Sequence, residues 1–365
     1  CQRPFTKERN HMKKIRVLIV DDSAVIRKFL EKILSTDPEI EVVGSAVDPY
    51  QAREKLVELK PDVMTLDVEM PKMDGITFLS KVMRHFPIRT IVFSSLTSQG
   101  SESYLQAMAA GAIEVLEKPA IDVNQKLELI AGKITQTVKM VAKAKLQPIV
   151  DLPTLVEKKP LTSSTSQSMA KTTHQLIAVA SSTGGTEALK VFLKNMPADI
   201  PGTVIVQHMP PGFTKSFSEH LNKMFPFEVK EAESGDAIFP GRVLIAPGNF
   251  HMEVRRSGAK YSVVLHQEVP LHSVRPAADY LLKSVAKYVG GNAAGVVLTG
   301  MGKDGAEGLL EMKKAGSVNF AQDEKTCVVY GMPQAAVNLG AIDKVLPLDR
   351  IGNEVLESLK KKAAA

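Results

Sequence analysis

Cysteine is nearly missing from this chain: Cys1 and Cys327 are the only two in 365 residues. Two residues so far apart make no disulfide framework, and so low a count points to a reducing, cytoplasmic setting. Long apolar runs are missing too. No stretch reaches the 18 or more residues that a membrane-spanning helix needs, so none is expected. Residues 1–11 carry Arg3, Lys7, Glu8 and Arg9 without an apolar stretch among them, which excludes a signal peptide. Met12 followed by the strand-like Lys13–Val20 reads as the natural start, and residues 1–11 as an extension foreign to it. Charge of one sign is scarce. The 46 basic and 40 acidic residues leave a net +6, and no long basic run concentrates it, so a dedicated nucleic-acid binder is not expected. Neither coiled-coil heptads nor a large exposed apolar patch is evident, and a monomer is expected.

What is present is ordinary globular material: 44% hydrophobic and 24% charged residues. A wholly disordered or fibrous chain is excluded, and the length suits two or three domains. One segment breaks the pattern. Residues 141–173 hold no aromatic residue but contain Pro148, Pro153 and Pro160, and eight of the twelve residues from Thr162 to Thr173 are Ser or Thr. Such a stretch buries too little apolar surface to offset its ordering entropy and reads as a solvated linker. The expected division is a first domain at 12–140, the linker at 141–173 and a second domain at 174–358.

In the first domain, β-branched runs at Ile15–Val20, Glu41–Ala46, Val63–Leu66, Ile88–Phe93 and Ala112–Leu116 alternate with helical spacing such as Val25/Ile26, Phe29/Leu30 and Ile33/Leu34. Five strands alternating with helices predict a doubly wound, five-stranded parallel α/β sheet, with ligands at the carboxyl ends of the strands. At those ends stand Asp21-Asp22, Asp67, Ser94-Ser95 and Lys118-Pro119. Three converging carboxylates repel one another unless a cation sits among them, and hard oxygen ligands suit Mg²⁺. A lysine and a hydroxyl beside them supply what a transferred phosphoryl group needs.

With Glu69-Met70-Pro71 and Met73-Asp74-Gly75 following Asp67, this set resembles the receiver domain of two-component response regulators over residues 13–135. The resemblance implies that Asp67 is the phospho-acceptor, that Asp21, Asp22 and Asp67 bind Mg²⁺, and that Ser94 and Lys118 are the switch residues. Ser95 beside Ser94 leaves a one-residue ambiguity. Val115 stands where many receivers carry an aromatic switch residue, a departure from an aromatic-flip readout.

The second domain is expected to be doubly wound and mostly parallel, with a hairpin-like insertion. Its strand at Gln175–Ala180 breaks at Ser181-Ser182-Thr183-Gly184-Gly185 before a helix. Two readings of Ser182 stand at this point, a helix N-cap or a nucleophile at the sheet edge. Of eight histidines, only His208 follows a strand of this half, Gly202–Gln207. His220 falls in a helix-like stretch, and His251, His266 and His272 in a hairpin-like one. Asp304 lies in the glycine-rich loop after Ala294–Leu298, where an N-cap is the alternative reading. Ser182, His208 and Asp304 thus end three strands of one sheet, as a nucleophile, base and orienting carboxylate are assembled.

The motifs Ser182-Thr183-Gly184-Gly185-Thr186, Gln207-His208-Met209-Pro210-Pro211-Gly212-Phe213-Thr214 and Leu298-Thr299-Gly300-Met301-Gly302-Lys303-Asp304-Gly305 resemble the catalytic domain of the CheB family of chemotaxis methylesterases. Ile245-Ala246-Pro247-Gly248, Arg275-Pro276-Ala277-Ala278-Asp279 and Gln322-Asp323-Glu324 through Gly331-Met332-Pro333 extend the likeness across 175–348. Ala180-Ser181 replaces the Gly-Ala often found before the serine. The resemblance implies hydrolysis of glutamate γ-methyl esters on chemoreceptors, with Ser182, His208 and Asp304 catalytic. The Met301 N–H, assisted by amides of the Ser182 turn, would form the oxyanion hole, and no cofactor would be needed for this step. It also implies a CheA-like histidine kinase as phosphodonor, membrane association only through the receptor, and glutamine deamidation as a second activity of some members. Two other classes stand beside it: a regulator whose second half only binds DNA, for which no helix-turn-helix is seen, and a serine hydrolase for a different ester or amide.

Overall fold

A computed structural model describes residues 13–94, 98–118, 127–146 and 175–364. Ser95, Pro119, His11, His174 and most of the linker reading, from 147 to 173, lie outside the described residues. The described residues fall into two compact units, one within Cys1–Ser95 and Glu114–Lys143, the other within Leu96–Ile113 and Ala144–Ala365. Segment 96–113, expected in the first domain, is thus grouped with the second unit.

The receiver fold is built from β1 (Ile15–Val20), α1 (Ala24–Leu34), β2 (Ile40–Ala46), α2 (Pro49–Leu59), β3 (Val63–Asp67), α3 (Gly75–His85), β4 (Arg89–Ser94), α4 (Ser98–Ala109), β5 (Glu114–Glu117) and α5 (Leu127–Lys143). Helix α5 continues three residues beyond 140, where the linker was expected to start. The strands form one parallel sheet in the order β2-β1-β3-β4-β5. β1 and β3 are buried along most of their length, as continuous apolar runs between two helix layers should be. Local chemistry sets the helix starts: Asp48 accepts from Tyr50 N and Gln51 N ahead of Pro49, and Asp74 accepts from Thr77 N.

The second unit carries β6 (Leu176–Ser181), α6 (Gly185–Leu193), β7 (Gly202–Gln207), α7 (Phe213–Met224), β8 (Glu228–Glu231), β9 (Ala237–Ile238), β10 (Arg242–Ile245), β11 (His251–Ser257), β12 (Lys260–His266), α8 (Ala278–Tyr288), β13 (Ala293–Val297), α9 (Ala306–Lys314), β14 (Val318–Gln322), α10 (Met332–Asn338), β15 (Lys344–Leu346) and α11 (Leu348–Ala364). Seven strands form a parallel sheet in the order β15-β14-β13-β6-β7-β10-β8. The expected hairpin is β11 with β12, and β9 adds a third antiparallel strand to it. Fully buried Phe192, Phe217, Phe227 and Phe320 anchor the packing, each contributing about 1.5–3 kcal/mol.

Each parallel sheet has a point where the connections from two neighbouring strands run to opposite sides. In the receiver it lies between β1 and β3; in the second unit, between β6 and β13. Crevices for ligands open at the carboxyl ends of such neighbouring strands, because the connections leave in opposite directions. The acidic cluster stands at the first point, and Ser182 with the Thr299–Gly302 loop at the second.

Candidate active site

Strands β3, β4 and β6 each end one residue later than the sequence suggests, so Asp67, Ser94 and Ser181 close their strands rather than follow them. In the receiver, Asp21 and Asp67 are buried and Asp22 is exposed. Carboxylate oxygens of all three lie within 4.8 Å of one another. Arg27 holds the acidic turn by donating to the backbone carbonyls of Asp21 and Asp22 at 2.8 and 2.9 Å. Lys118 Nζ meets Asp67 Oδ2 at 2.7 Å, and Lys118 N donates to the carbonyl of buried Ser94 at 2.9 Å.

The electrostatics follow from this crowding. Burial, with Asp67 alongside, pushes Asp21 up to about 6. Burial also raises Asp67, against the opposing pull of Lys118 and the Glu69 N–H. Burial lowers Lys118, but its bond to Asp67 and the surrounding carboxylates outweigh that and hold it above its ordinary value. A glycine packs behind Asp67: a Cβ on Gly75 would sit 1.9 Å from the Asp67 carbonyl oxygen, and Gly75 N donates to Val68 O at 2.8 Å.

At the second switch point, Ser181 and Ser182 separate clearly. Ser181 is fully buried and donates to Gln207 Oε1 at 2.7 Å, whereas Ser182 is half-buried and its hydroxyl makes no hydrogen bond among the described residues. Ser182 is not the cap of α6; Gly184 is, at φ +76, a left-handed position that favours glycine. Gln207 joins the strand ends with one amide. Its Nε2 donates to the carbonyls of Ser182 at 2.9 Å and His208 at 3.1 Å.

His208 Nε2 pairs with Asp304 Oδ2 at 2.8 Å, which leaves Nδ1 as the ring's other nitrogen. Asp304 also accepts from Ala278 N at 2.6 Å and Asp279 N at 3.1 Å. Burial raises this carboxyl, but His208 and the two backbone N–H groups prevail and hold it below its ordinary range. Asp304 does not cap the helix that follows it, which starts from Gly305 with no side-chain bond.

Met301 is exposed, and its N–H has no partner among the described residues. The other expected donors differ. Ser182 N donates to Thr299 O at 3.0 Å and Gly185 N to Ser182 O at 2.7 Å, so neither is free for an oxyanion. Gly300 is packed against Ser182, where a Cβ would lie 2.8 Å from Ser182 Cβ.

Residues that the motifs contain but that carried no assigned role prove to be supports. Thr299 takes Gln322 Oε1 on its N–H at 2.8 Å and donates its hydroxyl to Thr183 O at 3.0 Å. Gly331 N and Met332 N both donate to Gly300 O. Arg275 binds Asn249 Oδ1 and the carbonyls of Gln267 and Glu268, fixing the approach to α8. Their signal was membership in the glycine-rich motifs, where buried amides and hydroxyls stand beside reactive groups. Of the other histidines in this unit, His220 lies on α7, His251 and His266 face each other across β11 and β12, and His272 pairs with Asp279.

The model of the CheB methylesterase family matches residues 177–355, and that of the response regulator receiver domain matches residues 17–130. A protein-glutamate methylesterase/protein-glutamine glutaminase of Bdellovibrio bacteriovorus is 70% identical over 355 residues, covering 96% of this chain and 99% of its own. One of the same description from Syntrophus aciditrophicus is 50% identical, covering 94% and 99%. The crystal structure of the Thermotoga maritima CheB methylesterase catalytic domain is 40% identical over 50% of this chain and 97% of its own, with a TM-score of 0.49. With a near-full-length relative at 70% identity and both domain types matched in order, the chain belongs to the CheB family of receiver-linked methylesterases.

Proposed function

We propose that this chain is a serine esterase, controlled by phosphorylation of its receiver, that hydrolyses glutamate γ-methyl esters on chemoreceptors. The observation that carries the reading is the His208–Asp304 pair at 2.8 Å beside the unbonded Ser182 hydroxyl at the strand-order reversal. With Nε2–H given to Asp304, His208 Nδ1 holds the lone pair that takes the Ser182 proton. Ser182 Oγ then bonds to the ester carbon, and the carbonyl oxygen, now negative, takes the free Met301 N–H. Collapse breaks the bond to the methoxy oxygen, which leaves as methanol with the proton from His208. Water repeats the sequence on the acyl-serine, releasing the glutamate carboxylate and restoring Ser182. The same attack on a glutamine carboxamide releases ammonia, and the relatives carry that activity in their names.

Control resides in Asp67, which takes a phosphoryl group from a CheA-like histidine kinase. Asp21, Asp22 and Asp67 fit Mg²⁺: hard oxygen donors, gathered closely enough that burial and mutual repulsion raise Asp21. When bound, the ion neutralises charge on the phosphoryl oxygens. Lys118 and Ser94 hold the transferred group. No described helix is long and apolar enough to cross a membrane, and the Cys327 thiol is buried; we place the protein in the cytoplasm, reaching the membrane through its receptor and acting as a monomer.

The test is methanol release from methylated chemoreceptor membranes, with and without Mg²⁺ and a small acyl-phosphate donor. Release that rises with the donor, stays at the basal level in Asp67→Ala and vanishes in Ser182→Ala is the expected result. Release that persists in Ser182→Ala would overturn the esterase site.

A further inference from the structure

Helices α8 and α9 both begin without a cap of their own. Their N-cap residues are Ala277 and Gly305, neither of which makes a side-chain capping bond. The first-turn N–H groups of a helix need acceptors, and here each helix obtains one from the other's start. Asp304, just ahead of α9, accepts from Ala278 N and Asp279 N of α8 at 2.6 and 3.1 Å. Asp279, in the first turn of α8, accepts from Gly308 N of α9 at 2.7 Å.

The two carboxylates are buried, Asp304 at 2% and Asp279 at 0% exposure, and each holds one imidazole. His208 is on Asp304, and His272 Nε2 is on Asp279 Oδ2 at 3.1 Å. His272 and Ser273 sit at φ +54 and +64, left-handed positions unfavourable for such residues and maintained only where surrounding contacts demand them. The close approach is also specified at Gly308, where a Cβ would lie 2.5 Å from Leu282 Cβ and 3.2 Å from Asp279 Oδ1.

We propose that Asp279, seated on His272, is a positioning residue for ester hydrolysis: by capping α9 while Asp304 caps α8, it locks both helix starts together and so aims Asp304 at His208. This rests on the esterase reading above. Without the Asp279 cap, the loop from Met301 to Gly305 keeps its covalent path but loses the bond that ties the first turn of α9 to the start of α8. Asp304 and the Met301 N–H then shift together, and reacting groups lose alignment without loss of the substrate surface.

Charge supports the same division of labour. Burial, with Asp304 alongside, raises Asp279 above the ordinary carboxylate range, while His208 and the N–H groups hold Asp304 below it. The other charged groups near Asp279 are Lys283, one turn further along α8, its partner Glu307 of α9 at 2.9 Å, and exposed Lys303 beside Asp304. Of two neighbouring buried carboxyls, the one serving the base keeps its charge most readily.

The experiment measures kcat and KM for methanol release from methylated receptor membranes by the full-length chain with Mg²⁺ and acyl phosphate. Each variant is assayed well below its own melting temperature. Asp279→Ala is expected to lower kcat about 10- to 100-fold, as small misalignments do, with KM within about twofold of the parent. Gly308→Ala, which wedges the helices apart, is expected to reproduce that pattern. Asp279→Asn keeps an oxygen for Gly308 N–H and is expected to restore kcat to within about fivefold. Parent kcat in both Asp279→Ala and Gly308→Ala, or an equal loss in Asp279→Asn and Asp279→Ala, would overturn the proposal. Ser182→Ala separates the two readings: if it is inactive while the Asp279 variants match the parent, only the positioning role fails, and if it is active the esterase site itself fails.

Discussion

At the switch point of the first sheet, three carboxylates gather around one lysine. At that of the second, two carboxylates are met by three backbone N–H groups and two imidazoles. Both sites use the same topological opportunity, and they differ in how completely their charge is answered. The receiver cluster is buried and short of positive charge, so burial, with Asp67 alongside, drives Asp21 up to about 6, and the arrival of a cation or a phosphoryl group changes its energetics strongly. The Asp304 carboxylate is already saturated with donors and lies below its ordinary range. On the function proposed above, the site that changes state is left electrostatically incomplete, and the site that repeats one reaction is finished in advance.

That contrast can be broken most severely at Asp304. Asp304→Asn retains the size of the side chain but loses the charge that steadies the His208 imidazolium; ester hydrolysis is expected to fall about 10⁴-fold, while phosphorylation of Asp67, followed with labelled acyl phosphate, stays at the parent level. Gln207→Ala attacks the finished site through its frame. It strips partners from the Ser181 hydroxyl and from the Ser182 and His208 carbonyls, and is expected to destabilise the second unit by about 2–4 kcal/mol, read from urea unfolding. Gly75→Ala attacks the incomplete one. The clash with the Asp67 carbonyl is expected to cost the receiver about 1–3 kcal/mol and to suppress phosphodonor stimulation while basal methanol release persists.

The smallest effect is on pH. Asp304 has a folded value below its ordinary 3.8, so its contribution to stability is complete above that pH and is lost as the pH falls through the folded value. Melting curves of parent and Asp304→Asn should therefore converge below about pH 4. Curves that remain equally separated from pH 7 down to pH 3 would contradict the charge argument.

Much of this was legible because parallel strands announce themselves. Ile15–Val20 and Gly202–Gln207 are continuous apolar runs that end in chemistry, and both strands form over those residues. Short or exposed strands carried no such signal: β8, β9 and β15 have two to four residues each, too few for a period to show. The proposed site residues were legible from their strand ends: Ser182 and Asp304 stand at glycine-rich turns, and His208 follows a strand ahead of Pro210-Pro211. Their supports were not. Asp279 looks like an ordinary first-turn helix acid, and its partner Gly308 is 29 residues away; pairing of two capless helices is a property of their packing. The oxyanion donors were half legible, because which amides of the Ser182 turn are already engaged depends on the bond from Ser182 N to Thr299 O.

Gly75 has a mechanical consequence. Helix α3 begins against the carbonyl of Asp67 with no clearance even for a methyl group, so a displacement of the backbone at Asp67, the proposed phospho-acceptor, has no slack to be absorbed in. It passes to a rod of 11 residues, about 16 Å long at 1.5 Å per residue. A tilt of about 5° at its base moves the far end, near His85, by ~1 Å, which makes α3 a lever whose fulcrum is a missing side chain.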